Sequence, residues 1–113
     1  MSTAERLRAA LAPLGLPCYQ NEYTEHDPVY FVFNISTIPA DYADDAPAHE
    51  RHLIQLHLYA PKSLNTSNLQ AQVKQALFGA LFLYPSTENA SDNDAQHLVF
   101  ETETVQEAVY GTI

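Results

Sequence analysis

Apolar residues recur along this chain with two different periods. From Ser2 to Leu14 they fall at helical intervals, with Leu7, Leu11 and Leu14 on one stripe and Ala4 and Ala10 beside them. Ser2 and Glu5 stand at capping-box spacing, while Pro13, Gly15 and Pro17 mark the end of the segment. Cys18–Tyr23 and Val29–Ser36 read as strands, and the second is β-branched or aromatic almost throughout. The polar Thr24–Pro28 stretch between them predicts a hairpin loop. Arg51–Ala60 alternates, so His52, Ile54, Leu56 and Leu58 take one face and Leu53, Gln55, His57 and Tyr59 the other. A second helix is predicted from Thr66 or Ser67 to Tyr84, with Leu69, Val73, Ala76, Leu77 and Ala80 as its apolar stripe and Pro85 as its stop. Gln96–Thr104 is a fourth strand with Leu98, Phe100 and Thr102 on one face.

Two segments break the pattern. Ile38–Glu50 holds two prolines, four alanines and the acids Asp41, Asp44, Asp45 and Glu50, and is expected to be a long loop. Ser86–Asp94 reads as a polar connection, and Val105–Ile113 as a short extra strand or a mobile end. The resulting order is α-β-β-β-α-β. It predicts one α+β domain over residues 1–113, a two-layer sandwich of a mainly antiparallel four-stranded sheet with two helices on one face. Phe31 or Val32, Leu56, Leu77, Leu81 and Phe100 are the expected core. His57, Tyr59, His97, Val99, Glu101 and Glu103 fall on the opposite face. One layer of helices leaves that face to water or to another subunit.

Charge narrows the partners. Fourteen acids against five bases give a formal charge of −9. Phosphate and anionic-lipid recognition both require clustered cations, so neither specific nucleic-acid binding nor a membrane surface is expected. No secretory leader and no apolar run near the length of a membrane span is evident, so a soluble, intracellular protein is expected.

Candidate chemistry is sparse. His49 and His52 have H-x-x-H spacing, but strand alternation sends them to opposite faces, so no metal site is expected there. Cys18 is the lone cysteine and lacks any surrounding nucleophile signature, which favours a packed small side chain. The Asp41–Glu50 acids and Asp92-Asn93-Asp94 lack the ligand spacing and turn glycine of a calcium loop. Gly15, Gly79 and Gly111 belong to no phosphate-cradling motif. Without a catalytic constellation, neither an enzyme nor a cofactor is expected.

Three stretches carry a family resemblance: Val29-Tyr30-Phe31-Val32-Phe33-Asn34, Ile38-Pro39-Ala40-Asp41-Tyr42-Ala43-Asp44-Asp45, and Arg51-His52-Leu53-Ile54-Gln55-Leu56-His57-Leu58-Tyr59-Ala60-Pro61. With Tyr19-Gln20-Asn21-Glu22-Tyr23 and His97-Leu98-Val99-Phe100-Glu101, the chain resembles the minor tail proteins of tailed phages and prophages, in the tail-terminator or tail-completion group. The resemblance implies a structural subunit of a ring, usually a hexamer, that caps the tail tube and meets the head connector. Its place would be the virion neck, reached from the host cytoplasm during assembly. It implies no catalytic residue. Asp41, Asp44, Asp45 and Glu50 become candidates for an intersubunit or lumen-facing surface, where an acidic field would repel DNA. His57 and Tyr59 are candidates for a covered sheet face, and the exposed edges of Val29–Ser36 and Arg51–Ala60 for pairing between subunits. The competing reading is a small ligand-binding or regulatory α+β module that dimerises through its sheet.

Overall fold

The computed structural model describes residues 2–23, 27–43 and 46–107, with 40–43, 46–48 and 106–107 described by their backbone alone. Helix α1 (Thr3–Leu11) opens on the expected capping box. The Ser2 hydroxyl accepts from the Glu5 N–H, and the Glu5 carboxylate accepts from the Ser2 N–H. A 3-10 turn, Ala12–Leu14, follows and closes on Gly15 at φ 73°, a left-handed conformation that glycine adopts without a Cβ penalty. The strands are β1 (Cys18–Gln20), β2 (Tyr30–Ala43), β3 (Ala46–Pro61), β4 (Ser86–Asn89) and β5 (Ala95–Glu107), and helix α2 (Ser67–Gly79) lies between β3 and β4.

The sheet order is β1-β2-β3-β5-β4, with every pair antiparallel except β1–β2. Registers such as Phe33↔Leu56↔Phe100 and Phe31↔Leu58↔Leu98 align the apolar rows of the three central strands. Those rows meet Leu7 and Leu11 of α1 and Val73 and Leu77 of α2 in one core, so both helices cover the same face. Each such side chain contributes roughly 1.5–3 kcal/mol by leaving water. The two-layer α+β architecture and the assignment of β3 and β5 side chains to faces follow the alternation in the sequence.

Several details depart from it. The sheet has five strands, because Ser86–Asn89 pairs along β5 within the expected connection. The first two strands do not form a hairpin. Phe31 N–H donates to Pro17 C=O and Asn21 N–H donates to Phe33 C=O, which sets β1 parallel to β2. Residues 24–26 of the expected hairpin loop lie outside the described residues. Among the described residues the expected acidic loop is strand: Ile38–Ala43 continues β2 and Ala46–Glu50 belongs to β3, in one constant register from Ile38↔Arg51 to Ala43↔Ala46. Backbone pairing between β2 and β3 offsets the low strand propensity of Pro39 and Pro47. β2 and β3 are consequently interior strands, not sheet edges, wherever β1 and β5 flank them.

Helix α2 stops earlier than Tyr84. Phe82 N–H bonds Leu77 C=O and Leu81 N–H bonds Phe78 C=O, a Schellman pattern with Leu81 at φ 68°. The left-handed step rotates the chain, so Phe82 enters the core and Leu81, expected there, is 82% exposed. At the other end β5 runs on to Glu107, and 108–113 of the expected tail lie outside the described residues. The long hairpin makes the molecule elongated. Its extents are 54 × 27 × 24 Å and its radius of gyration is 15.7 Å, whereas a compact chain of this length has roughly 13 Å.

Candidate interaction surfaces

The face of the sheet away from the helices carries a ladder of rings. Tyr30 of β2 and Tyr59 of β3 are register partners and stack at 5.0 Å between centroids; Tyr59 then stacks on His97 of β5 at 4.3 Å. Tyr23, from the β1–β2 connection, lies on Tyr30 at 3.7 Å and 10°. His57 completes the row, with Nδ1 2.8 Å from Nε2 of His97. One imidazole N–H donates to the lone pair of the other, which requires at least one neutral ring. Burial first, and His97 second, hold the His57 imidazole below its ordinary value. Burial pushes the Tyr59 and Tyr30 phenols up, and for Tyr30 the neighbouring Tyr23, Tyr59 and Asp27 add to it. Tyr19 and Tyr23 both hydrogen-bond Asp27, the first by its hydroxyl to Oδ2 at 2.5 Å. The ring faces are occupied by one another, so the ladder stiffens the open face and presents edges and hydroxyls rather than a flat stacking platform.

Beyond the ladder the same face becomes polar. A cleft of about 550 Å³ is lined by Asn34, Ser36, Gln55 and Glu101, and by Arg51 and Glu103, which pair in bidentate fashion at 2.9 and 3.3 Å. This pair is exposed enough that it contributes little to stability. On the helix side, His52 Nδ1 lies 2.5 Å from the Thr3 hydroxyl, and its Nε2 lies 3.4 Å from Glu50.

The sequence candidates are thus dispersed. His57 and Tyr59 lie together on the open face, 6.2 Å apart between ring centroids. Glu50 is a partly buried member of β3 held beside His52, away from that ladder. Asp41 belongs to β2 by its backbone, while Asp44 and Asp45 lie outside the described residues. His49 and His52 stand three apart on one strand, hence on opposite faces. Among the described residues no three metal-ligating side chains converge. Burial raises the Cys18 thiol to about 11, with Arg8 opposing, so the thiolate is scarce at neutral pH.

Sequence reasoning missed one surface. At the C-terminal end of α2 and just past it, Phe78, Leu81, Leu83 and Tyr84 are all more than half exposed, as is Val105 of β5. Phe78, Leu81, Leu83 and Val105, with Arg6, Phe82, Thr104 and Glu103, border a groove of about 690 Å³. The Arg6 guanidinium sits 4.9 Å above the Phe82 ring and donates to Ala80 C=O and the Thr104 hydroxyl, both at 3.3 Å. The signal in the sequence is the run Leu77-Phe78-Gly79-Ala80-Leu81-Phe82-Leu83-Tyr84, too continuously apolar for one helix face.

No protein-family model matches the chain, and no curated protein does. A solved structure that carries no functional description is similar over 97% of this chain and 99% of its own, at a TM-score of 0.57 and 15% identity. That likeness concerns the fold alone. Among the described residues, no helix is long and apolar enough to cross a membrane.

Proposed function

We propose that this chain is a structural subunit of a phage or prophage tail. Its copies assemble into a ring, expected to be a hexamer, at the head-proximal end, between the tail tube and the head connector. The observation that carries the reading is the β2–β3 hairpin. Among the described residues, its segment from Ala40 to Ala48 extends beyond the last β3–β5 pair, His49↔Glu107. A two-stranded ribbon is marginal in water by itself, so this segment gains most by resting on a neighbour. The resemblance of Val29–Asn34, Ile38–Asp45 and Arg51–Pro61 to tail-terminator proteins points the same way. The formal charge of −9 suits a neck through which DNA must pass without being held.

Deleting the gene from the phage or prophage that encodes it and imaging induced lysates tests the reading. Unjoined heads and tails of irregular length are expected, restored by a plasmid copy. Normal joined virions would refute it. A second reading, a ligand-binding module that dimerises through its sheet, has the polar cleft around Asn34, Gln55 and Glu101 in its favour. It requires a small molecule that raises the melting temperature, and a dimer that Gln55→Lys disrupts.

A further inference from the structure

We infer that the apolar groove past α2 is the receiving half of a head-to-tail contact between copies of this chain, and that its occupant is the β2–β3 hairpin arm of the next copy. The inference rests on the proposal that the chain self-assembles, and specifies how. Contiguous exposed apolar side chains at this density mark an interaction surface. Here Leu81 holds a left-handed conformation with its side chain 82% exposed. A helix cap of this kind normally uses glycine, so an exposed leucine there stands against local stability.

Three observations select the occupant. First, Arg6 at the groove has only neutral partners among the described residues: a carbonyl, a hydroxyl and a ring face. Glu103 also lines the groove, but its carboxylate pairs with Arg51, so the half-buried Arg6 guanidinium still favours an acidic visitor. The arm segment Ala40–Ala48 supplies Asp41, Asp44 and Asp45 with no Lys or Arg, and its remaining residues are largely small or apolar. Second, among the described residues the wall of the groove is an open strand edge. The carbonyls of His97 and Glu103 accept from Ala90 and Leu83 on the β4 side. By alternation Val105 turns its backbone groups the same way, beyond the Ser86–Asn89 span of β4. Third, among the described residues β2 has an open edge leading into the arm. Phe31 and Phe33 direct backbone groups to β1, so the odd residues of β2 face that side, and β1 ends opposite Phe33. Pro39 lacks an N–H on that edge but keeps its carbonyl. Groove and arm occupy different surfaces of one subunit, so the contact is heterologous and repeats around a ring.

Two variants and their mixture test this. Leu81→Glu disables the groove and leaves the arm. Replacing Ala40–Ala48 by Asn-Gly disables the arm and leaves the groove; the triple variant Asp41→Lys, Asp44→Lys, Asp45→Lys serves the same end without shortening the chain. Circular dichroism verifies folding, and sedimentation velocity at concentrations up to millimolar reads association. The wild type should associate, each variant alone should weaken association by at least roughly tenfold, and Leu81→Glu mixed with either arm variant should form a one-to-one dimer and nothing larger. A wild type that stays monomeric, variants that associate as the wild type does, or a mixture that stays monomeric each overturns the inference. None of these outcomes bears on head–tail joining in lysates, which tests the tail assignment by itself.

Discussion

Replacing Leu81 by glycine should stabilise the isolated subunit, an unusual outcome for deleting a leucine. At φ 68° the Leu81 Cβ crowds the following carbonyl, at a cost of roughly 1.5 kcal/mol. Glycine removes that cost but gains freedom in the unfolded chain, which returns about 0.7 kcal/mol. The side chain is 82% exposed, so the apolar burial lost is only about 0.4 kcal/mol. The balance favours Leu81→Gly over the wild type by about 0.4 kcal/mol, or roughly 2 °C given the usual unfolding entropy per residue. Leu81→Ala loses the burial and keeps the strain, so it should fall below the wild type by about the same amount. The decisive quantity is the gap between glycine and alanine, about 0.8 kcal/mol and roughly 3 °C. Urea titration followed by circular dichroism, at concentrations low enough to prevent association, measures it. Phe82→Ala is the control: with Phe82 at 2% exposure, it should cost about 3–5 kcal/mol. An alanine variant as stable as the glycine variant would show that Leu81 carries no backbone strain, and with it the reason for treating its exposure as functional would go.

Other outcomes follow from the same geometry. Ser2→Ala removes the capping acceptor for the Glu5 N–H and should cost about 1 kcal/mol in urea denaturation. The folded His57 imidazole sits below its ordinary value, so the unfolded chain binds the extra proton first. Stability contributed by this group is therefore intact above the unfolded value of about 6.5 and declines as pH falls from there toward the folded value. His57→Gln should flatten that decline in denaturant midpoints measured across the interval. Cys18, with its thiol raised to about 11, should react with iodoacetamide at neutral pH far more slowly than in urea, as followed by mass spectrometry.

Much of the architecture was legible in residue order. The capping box at Ser2 and Glu5, the alternation of Ile54, Leu56 and Leu58, the Leu69–Val73–Leu77 stripe and the β-rich Val29–Ser36 each express a period that a single element imposes on its own side chains. Those periods set the two helices, the three central strands and the face each strand buries. What they could not express is pairing. Ile38–Glu50 has the composition of a loop and becomes strand because its two halves pair as a hairpin, and because β5, distant in sequence, supplies backbone partners to His49 and Glu50. The parallel setting of β1 depends on Pro17 and Asn21 reaching Phe31 and Phe33. Likewise the ring ladder gathers Tyr23, Tyr30, Tyr59, His57 and His97 from separate segments that only the sheet register brings into stacking distance. The turn at Leu81 was hidden for a different reason. A left-handed residue is ordinarily announced by glycine, and here the conformation is held by the Phe82–Leu77 hydrogen bond and the burial of Phe82, which tertiary packing alone provides.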